Sequence, residues 1–263
     1  MMMARALALN GASKVYILGR RKEALESVSK SVSTSNIIPI VCDVTSKSSL
    51  DAAISTITTE TGYINLLVAN SGMLGPQPTE KLTSESTIKD FVKAYNETSS
   101  AEYEKTFELN TTAVWYTIVG FLELLDEGNK KGNVVQKSQI VATSSIASFN
   151  RNTPGGFAYG QSKAAVTHMV KQLATRLAQW GIRVNAIAPG RKLYFYLIIE
   201  FDYLFLPLQA SPTSKTNCTL QKEISCFIKS RNISDKQKSF PQTSQLVLSG
   251  RASFPELPFR LKG

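Results

Sequence analysis

Residue types that build many functional sites are scarce in this chain of 263 residues. It has three cysteines, Cys42, Cys218 and Cys226, and a single histidine, His168. No two cysteines have the short spacing of a zinc knuckle, and three thiols without a secretory signal favour a reducing compartment. A histidine-based metal site or a Ser-His-Asp triad would depend on His168 alone. We therefore expect neither, and we assign His168 a packing or surface role.

Long apolar runs are also missing. The N-terminus lacks the apolar stretch and the small-residue cleavage site of a secretory signal. The most apolar segment, residues 193–208, contains Glu200 and Asp202 and is short for a membrane span. We therefore predict a soluble, cytoplasmic protein that makes no membrane contact.

The net charge of +10 is unevenly distributed. Residues 1–190 hold 19 Lys and Arg against 15 Asp and Glu, whereas residues 191–263 hold 11 against 5. The basic excess lies mainly in a segment without regular basic and aromatic spacing, so we expect no nucleic acid partner. After Gly190 the helical and alternating patterns stop, which predicts an atypical, poorly ordered tail over 191–263.

Residues 1–190 alternate short apolar runs with helical patterns, which is typical of a parallel sheet with crossover helices. The predicted strands cover 14–19, 37–42, 65–69, 139–143 and 183–188. The predicted helices cover 21–31, 47–61, 85–96, 101–127 and 158–180. Most of the strands are almost entirely apolar, as in strands covered on both faces. We therefore predict an α/β fold with a doubly wound sheet.

The strongest local signal is YGQSK at 159–163, at the start of a predicted helix. Tyr159 and Lys163 are four residues apart, which places them on one helical face. An ammonium beside a phenol lowers the phenol pKa from about 10 and makes it a usable general acid or base for a carbonyl or alcohol oxygen. Alone, this spacing is more often an exposed pair, so the interpretation depends on its context.

Polar residues follow two of the predicted strands, at the edge where doubly wound folds bind ligands. One strand ends in Thr143-Ser144-Ser145, which presents a hydroxyl able to hydrogen-bond a substrate oxygen. Another ends in Ala69-Asn70-Ser71-Gly72, where a small turn allows close approach of a ligand. Asn110 lies inside a helical stretch, where an amide is unfavourable for the helix.

These motifs together resemble the short-chain dehydrogenase/reductases, which are Rossmann-fold oxidoreductases that use NAD or NADP. The motifs that carry the resemblance are ANSG at 69–72, Asn110 and its surroundings, SSIAS at 144–148, YGQSK at 159–163 and RVNAIAPG at 183–190. The resemblance implies a partial Rossmann domain over 1–190. It also implies hydride transfer between nicotinamide and a small carbonyl or alcohol substrate, and a homo-oligomer.

The resemblance further implies a role for each matched side chain. Tyr159 would be the catalytic acid or base, and Lys163 would lower its pKa and hold the cofactor ribose. Ser145 would orient the substrate carbonyl, and Asn110 would support a water that links Lys163 to solvent. Ser144 is the alternative to Ser145, because the stretch from Ser145 to Tyr159 is about one residue longer than usual.

Cofactor choice depends on the residues that follow strand 14–19. No carboxylate stands there to accept the ribose hydroxyls of NAD, whereas a guanidinium of Arg20 or Arg21 pairs with a 2′-phosphate. NADP is therefore predicted over NAD, with a solvated helix N-terminus as the alternative. Asp43 would approach the adenine amino group with Val44 beside the ring, although this aspartate is equally a turn cap. The implied cofactor contacts are Arg20, Arg21, Asp43, Val44, Asn70, Gly72, Tyr159, Lys163, Pro189 and Gly190.

Two features of that family are absent from the sequence. The chain begins with a helical pattern at 1–12 and contains no TGxxxGxG turn. We therefore expect that the central strand of the order 3-2-1-4-5-6 and the pyrophosphate cradle are missing, which would leave strands 14–19 and 65–69 without their common neighbour. Tyr194 stands where the family has a Thr that meets the nicotinamide carboxamide. The alternative function is a catalytically inactive truncated or mis-spliced fragment that acts at most as an interaction module.

Overall fold

The computed structural model describes residues 2–152 and 155–190, together with a strand at 203–206. The helices are α1 (Met2–Leu9), α2 (Lys22–Ser29), α3 (Lys47–Glu60), α4 (Ile88–Asn96), α5 (Ser100–Phe107), α6 (Ala113–Gly120), α7 (Leu122–Lys131) and α8 (Phe157–Arg176). The strands are β1 (Val15–Gly19), β2 (Ile37–Val41), β3 (Leu66–Ala69), β4 (Gln139–Thr143), β5 (Arg183–Ile187) and β6 (Tyr203–Leu206). The five strands predicted within residues 1–190 are confirmed to within one residue at each end.

The six strands form one sheet in the order β2-β1-β6-β3-β4-β5. The pairs β1–β2, β3–β4 and β4–β5 are parallel, and helices connect these strands. The doubly wound α/β class is therefore confirmed. The order is that of the 3-2-1-4-5-6 sheet, with β6 in the central position.

β6 corrects the expectation that the first and third predicted strands lose their common neighbour. It pairs antiparallel with both β1 and β3 and lies between them. The physical reason is that buried backbone N–H and C=O groups need partners, and the apolar segment YLFL can enter a buried position. The rest of the predicted tail, including Tyr194, Cys218 and Cys226, lies outside the described residues.

The strands differ in how far their two faces are covered. All five residues of β1 are buried, whereas β4 and β5 alternate buried and partly buried residues and β2 exposes Pro39 and Val41. The expectation of strands covered on both faces therefore holds for β1 and for most of β3. β2, β4 and β5 fall short of it, and of these β2 and β5 are the outermost strands of the sheet.

The core lies in two layers, one on each face of the sheet. Tyr16 and Leu18 belong to the larger cluster, whereas Val15 and Ile17 belong to the smaller one, as the alternation of a strand requires. Helix α1 packs its Leu7 in the smaller cluster. The helical pattern predicted at the start of the chain is thus confirmed, and it covers one face of the sheet.

The helix predicted over 101–127 is interrupted twice. A π-helical turn, Glu108–Thr112, separates α5 from α6, and Phe121 separates α6 from α7 with non-helical backbone angles. A π turn carries one extra residue and is frequent at functional sites. Asn110, whose amide is unfavourable in a regular helix, stands in the middle of this turn.

Gly128 of α7 lies where the helix passes the segment just before β3 too closely for any side chain. A Cβ at this position would stand 2.1 Å from the backbone oxygen of Ile64. We expect Gly128→Ala to lower the free energy of unfolding by roughly 3 kcal/mol or more, measured by urea unfolding. The matched control is Gly120→Ala, because its nearest obstacle is the movable methyl end of Ile54. Equal stability of the two variants would contradict this packing.

Candidate active site

Helix α8 places the two residues of the strongest sequence motif inside the molecule. Tyr159 is 5% exposed and Lys163 is 3% exposed, although both belong to the first two turns of the helix. The alternative of an exposed surface pair is therefore wrong. The buried face of α8 packs against the end of β4 and the short 3₁₀ turn Ile146–Ser148. The motif thus lies at the carboxyl edge of the sheet, where ligands bind in doubly wound folds.

The Lys163 ammonium is held by a backbone carbonyl. Its Nζ donates a hydrogen bond of 2.7 Å to the oxygen of Thr143, the last residue of β4. Burial lowers the pKa of Lys163 from its usual 10.5 to about 8, because the charged form loses its hydration. The pKa of Lys163 therefore lies well below that of an exposed lysine.

Gly72 gives Lys163 the space that it needs. A Cβ on Gly72 would stand 3.2 Å from Lys163 Nζ and 3.1 Å from Asn110 Oδ1. Both distances are tighter than ordinary van der Waals contact, so a side chain here would press on the ammonium and on the amide. The turn that follows β3 therefore approaches the lysine closely because its residue is glycine.

Asn110 joins that turn to α8. Its Oδ1 accepts a bond of 2.7 Å from the backbone N–H of Met73, and its Nδ2 donates bonds of 2.9 Å to Met73 O and Ser162 Oγ. The side chain is completely buried, so these bonds meet its polar requirements away from solvent. Asn110 thus fixes the position of residues 70–73 relative to the Tyr159 helix.

The two serines after β4 make different contacts. Ser144 Oγ donates to the backbone oxygen of Lys163 at 3.1 Å and lies 2.5 Å from Thr167 Oγ1, so it anchors β4 to α8. Ser145 Oγ accepts a 3.1 Å bond from the N–H of Ala147, which uses an oxygen lone pair and leaves the hydroxyl proton as a donor. The geometry therefore favours Ser145 over Ser144 for contact with a substrate oxygen.

The segment after β5 reaches the same place. The N–H of Ser144 donates to Ile187 O at 2.8 Å, and the N–H of Ile146 donates to Pro189 O at 3.1 Å. Pro189 and Gly190 thus border the serine turn. Thr143 Oγ1 in turn donates to Asn70 Oδ1 at 2.9 Å, which ties the end of β4 to the end of β3.

A second group of predicted residues follows β1 and β2. Arg20 and Arg21 are exposed at the carboxyl end of β1, and Asp43 follows β2. Burial acts to raise the pKa of Asp43, but hydrogen bonds from the hydroxyl and N–H of Thr45 and the charge of Arg20 lower it below its usual value. Asp43 therefore caps its own turn, which is the alternative that the sequence left open, and it also faces Arg20.

Val44 is buried, whereas His168 is exposed. We expected Val44 to lie beside the adenine ring of the cofactor. In the structure it is 3% exposed and packs in the larger core cluster. Its apolar side chain is stabilised by burial beneath the turn. His168 is exposed on α8, which confirms its surface role. Across residues 2–152 and 155–190, no cluster of three His, Cys, Asp or Glu residues could hold a metal ion.

A separate cavity of about 430 Å³ lies between α4, α5 and α8. Phe91, Tyr95, Tyr103 and Phe157 supply aromatic walls, and Phe157 stands two residues from Tyr159. Two residues correspond to about 200° around a helix, so Phe157 faces away from the Tyr159 side. This cavity is therefore distinct from the site at the sheet edge.

Some contacts of the site could not be read from the sequence. The carbonyl of Thr143 that holds Lys163 belongs to the backbone, and Met73 contributes only its main chain. Ser162 lies inside the YGQSK motif, and its hydroxyl, which donates to Tyr159 O at 2.8 Å, could have been suspected from its neighbours. The only sequence feature that indicated a role for Ser162 was its hydroxyl, placed between two functional residues.

The described helices include none that is both long and apolar enough to span a bilayer. The model of the short chain dehydrogenase family matches residues 1–192, which is more than half of the chain. The chain belongs to the short-chain dehydrogenase/reductase family. Members of this family bind NAD or NADP, act on small-molecule substrates and often form oligomers.

Three comparisons illustrate the relationship. The short-chain dehydrogenase/reductase PhomF′ of Diaporthe leptostromiformis is 48% identical over 191 residues, which cover 72% of this chain and 64% of the relative. The short-chain dehydrogenase/reductase SAT3 of Stachybotrys chartarum is 42% identical over a stretch that covers 72% of this chain and 73% of the relative. The structure of the Pseudomonas aeruginosa RhlG/NADP active-site complex is 25% identical with a TM-score of 0.59, covering 72% of this chain and 67% of that one. The chain thus spans 64% of the length of the PhomF′ relative.

The buried ammonium of Lys163 predicts a specific dependence of stability on pH. The unfolded chain keeps this proton up to pH 10.5, whereas the folded chain releases it near pH 8. Because the unfolded state binds more protons between these values, the free energy of unfolding rises with pH across this window. Relative to Lys163→Met, we expect the wild-type chain to gain about 2 kcal/mol between pH 7 and pH 9.5.

Urea unfolding at the two pH values measures this gain. The matched control is Lys171→Met, which removes an exposed lysine from the same helix and should follow the wild type. A wild-type chain that gained nothing relative to Lys163→Met would show that Lys163 is hydrated in solution.

Proposed function

We propose that this short-chain dehydrogenase/reductase is an NADP-dependent oxidoreductase that transfers a hydride between nicotinamide and a carbonyl or alcohol substrate. The observation that carries the proposal is the buried pair Tyr159 and Lys163, one helical turn apart, beside the serine turn at the carboxyl edge of the sheet. Burying an ammonium costs free energy, and a role of Lys163 in catalysis would account for that cost. Neither the fold nor the comparisons favour the alternative of an inactive fragment.

The residues present fit the two ends of a dinucleotide. At one end, Lys163 supplies a buried cation, and Gly72 leaves space beside it where a Cβ would press on the ammonium. At the other end, Arg20 and Arg21 supply guanidinium groups at the carboxyl end of β1. A ribose would bind at the first end, and a ribose phosphate at the second.

When bound, the nicotinamide would supply or accept the hydride at the substrate carbon. In the direction of reduction, the Tyr159 hydroxyl donates its proton to the substrate oxygen, where negative charge develops. The Ser145 hydroxyl donates a hydrogen bond to the same oxygen and so stabilises that charge. The Lys163 ammonium stabilises the phenolate that Tyr159 becomes. Asn110 holds the turn after β3 and helix α8 in place relative to each other through its hydrogen bonds to Met73 and Ser162.

The preference for NADP is supported by the charges after β1. Arg20 and Arg21 are exposed, and the carboxylate of Asp43, which faces Arg20, is engaged by Thr45 in its own turn. A guanidinium fork matches the oxygens of a 2′-phosphate, whereas the diol of NAD needs an acceptor.

We include in the proposal a homo-oligomer in the cytoplasm. Trp115, Tyr116 and Val119 on α6 are large apolar residues with at least 40% of their surface exposed, and a neighbouring subunit would cover them. Cys42 is a buried thiol, which accords with a reducing compartment.

The role of Tyr159 is tested by Tyr159→Phe, which removes one hydroxyl and keeps the ring. NADPH consumption should be measured with a panel of aryl ketones, aliphatic ketones and 3-oxoacyl thioesters. We expect turnover to fall about 1,000-fold, because general acid catalysis is lost, while NADPH still raises the unfolding temperature. The control is Tyr103→Phe, whose hydroxyl bonds Gln161 of α8 at the separate aromatic cavity. Full activity of Tyr159→Phe would refute the role.

Cofactor choice is tested by the double substitution Arg20→Ala/Arg21→Ala. We expect the Kd for NADPH to rise roughly 10- to 100-fold, because charge-assisted bonds to the 2′-phosphate are lost, while the Kd for NADH changes little. Fluorescence titration measures both. Lys22→Ala is the control, since it removes an exposed charge from the next position. The proposed cofactor would be wrong if the wild-type chain bound NADPH no better than NADH, or if Lys22→Ala had the same effect as the double variant.

A further inference from the structure

The sheet is made of two parallel parts that meet at a single antiparallel strand. One part is β2–β1 and the other is β3–β4–β5, and in the described sheet β6 pairs with both. Leu204 is opposite Ile17 of β1 and also opposite Val68 of β3. The hydrogen bonding that joins the two parts therefore runs through four residues, Tyr203–Leu206.

The position that β6 fills is buried on both sides. The residues of β1 are all buried, and Leu67, Val68 and Ala69 of β3 are buried as well. Leu67 belongs to the larger core cluster and Val68 to the smaller, so the position lies between the two layers. Without a strand there, the backbone groups along one edge of β1 and one edge of β3 would lose their partners in the core, which is costly.

The sequence of the segment suits a central strand. Tyr203–Leu206 reads YLFL, a run of apolar residues such as strands covered on both faces contain. Pro207 follows immediately, and proline cannot donate a hydrogen bond within a sheet. The apolar run thus supplies four residues for the position and ends at a natural terminator.

The two parts of the sheet also carry the two groups of site residues. Arg20 and Asp43 follow β1 and β2, whereas Asn70 and Ser145 follow β3 and β4. We propose that β6, by joining the two parts of the sheet, sets the separation of these two groups. The part of the inference that concerns cofactor binding rests on the proposed function. The strand assignment itself does not.

The register of β6 provides a direct test. Residues directly opposite in an antiparallel pair have Cα atoms about 4.5–5.5 Å apart, within the range of a disulfide. We expect the full-length variants Ile17→Cys/Leu204→Cys and Val68→Cys/Leu204→Cys each to form a cross-link under mild oxidation. Mass spectrometry of the proteolysed protein identifies the joined peptides and separates them from any that involve the natural cysteines.

A shifted pair is the matched control. In Ile17→Cys/Phe205→Cys the second cysteine is one residue away from the partner of Ile17, and successive residues of a strand point to opposite faces. We expect this variant to cross-link at least tenfold less under the same conditions. Cross-linking that ignored the register, or that failed in both matched pairs, would overturn the strand assignment.

Hydrogen exchange tests whether the strand joins the two parts. Leu204→Pro removes a backbone donor from a strand that is paired on both sides, whereas Leu204→Val keeps the donor and suits a strand. We expect Leu204→Pro to lower the protection of the β1 and β3 amides about 100-fold and the unfolding temperature by about 10 °C, with Leu204→Val near the wild type. Unchanged protection of these amides in Leu204→Pro would overturn the proposal.

The NADPH-induced rise of the unfolding temperature separates the two claims. We expect the wild-type chain and Leu204→Val to show the rise and Leu204→Pro to lose it. If exchange responds as expected but the wild-type chain does not bind NADPH, the strand assignment stands and the proposed function fails. If Leu204→Pro loses protection but binds NADPH as tightly as the wild type, β6 does not set the separation of the two groups.

Discussion

The hydrogen bond from Lys163 Nζ to the carbonyl of Thr143 is the contact on which the site depends. A buried ammonium is costly, and in this molecule the partner that the structure gives it is a neutral carbonyl. The surroundings are arranged to permit that burial, since Gly72 omits a side chain and Ser144 binds the backbone of Lys163 itself. The turns after β3 and β4 are consequently fixed around one charge, and a perturbation of any of them reaches the lysine.

Much of the fold could be predicted from local pattern, because apolar runs and helical periodicity record burial directly. The five strands within residues 1–190 and the common face of Tyr159 and Lys163 are of this kind. The partners of Asn110 could not be predicted, because Met73 and Ser162 are 37 and 52 residues away and meet it through tertiary packing. The π turn that contains Asn110 could not be predicted either, because local helix propensity favours a regular helix at this point.

β6 shows a different limit of sequence reasoning. A strand covered on both faces lacks alternation, so YLFL has the same appearance whether it is a central strand or part of an unpatterned segment. Its pairing with Ile17 and Val68 spans more than 130 residues, and no local signal encodes a contact of that range. The segment after Gly190, whose composition predicted a break, therefore contains the apolar run that fills the centre of the sheet.

The direction of β6 has a consequence for anion binding. Because β6 is antiparallel, Tyr203 lies opposite Leu18 and Ala69 at the carboxyl edge, while Leu206 lies opposite Leu66 at the other edge. A parallel strand in this position would end at the carboxyl edge and could lead into a helix whose N-terminus faces a pyrophosphate. β6 enters the sheet at that edge and ends at the opposite one, so β6 does not present its own carboxyl end to a pyrophosphate. On the proposed function, the described residues would hold the cofactor at its two ends, by the ammonium of Lys163 and by the guanidinium groups of Arg20 and Arg21. In that case, cofactor binding would depend on the separation between Lys163 and the guanidinium groups of Arg20 and Arg21.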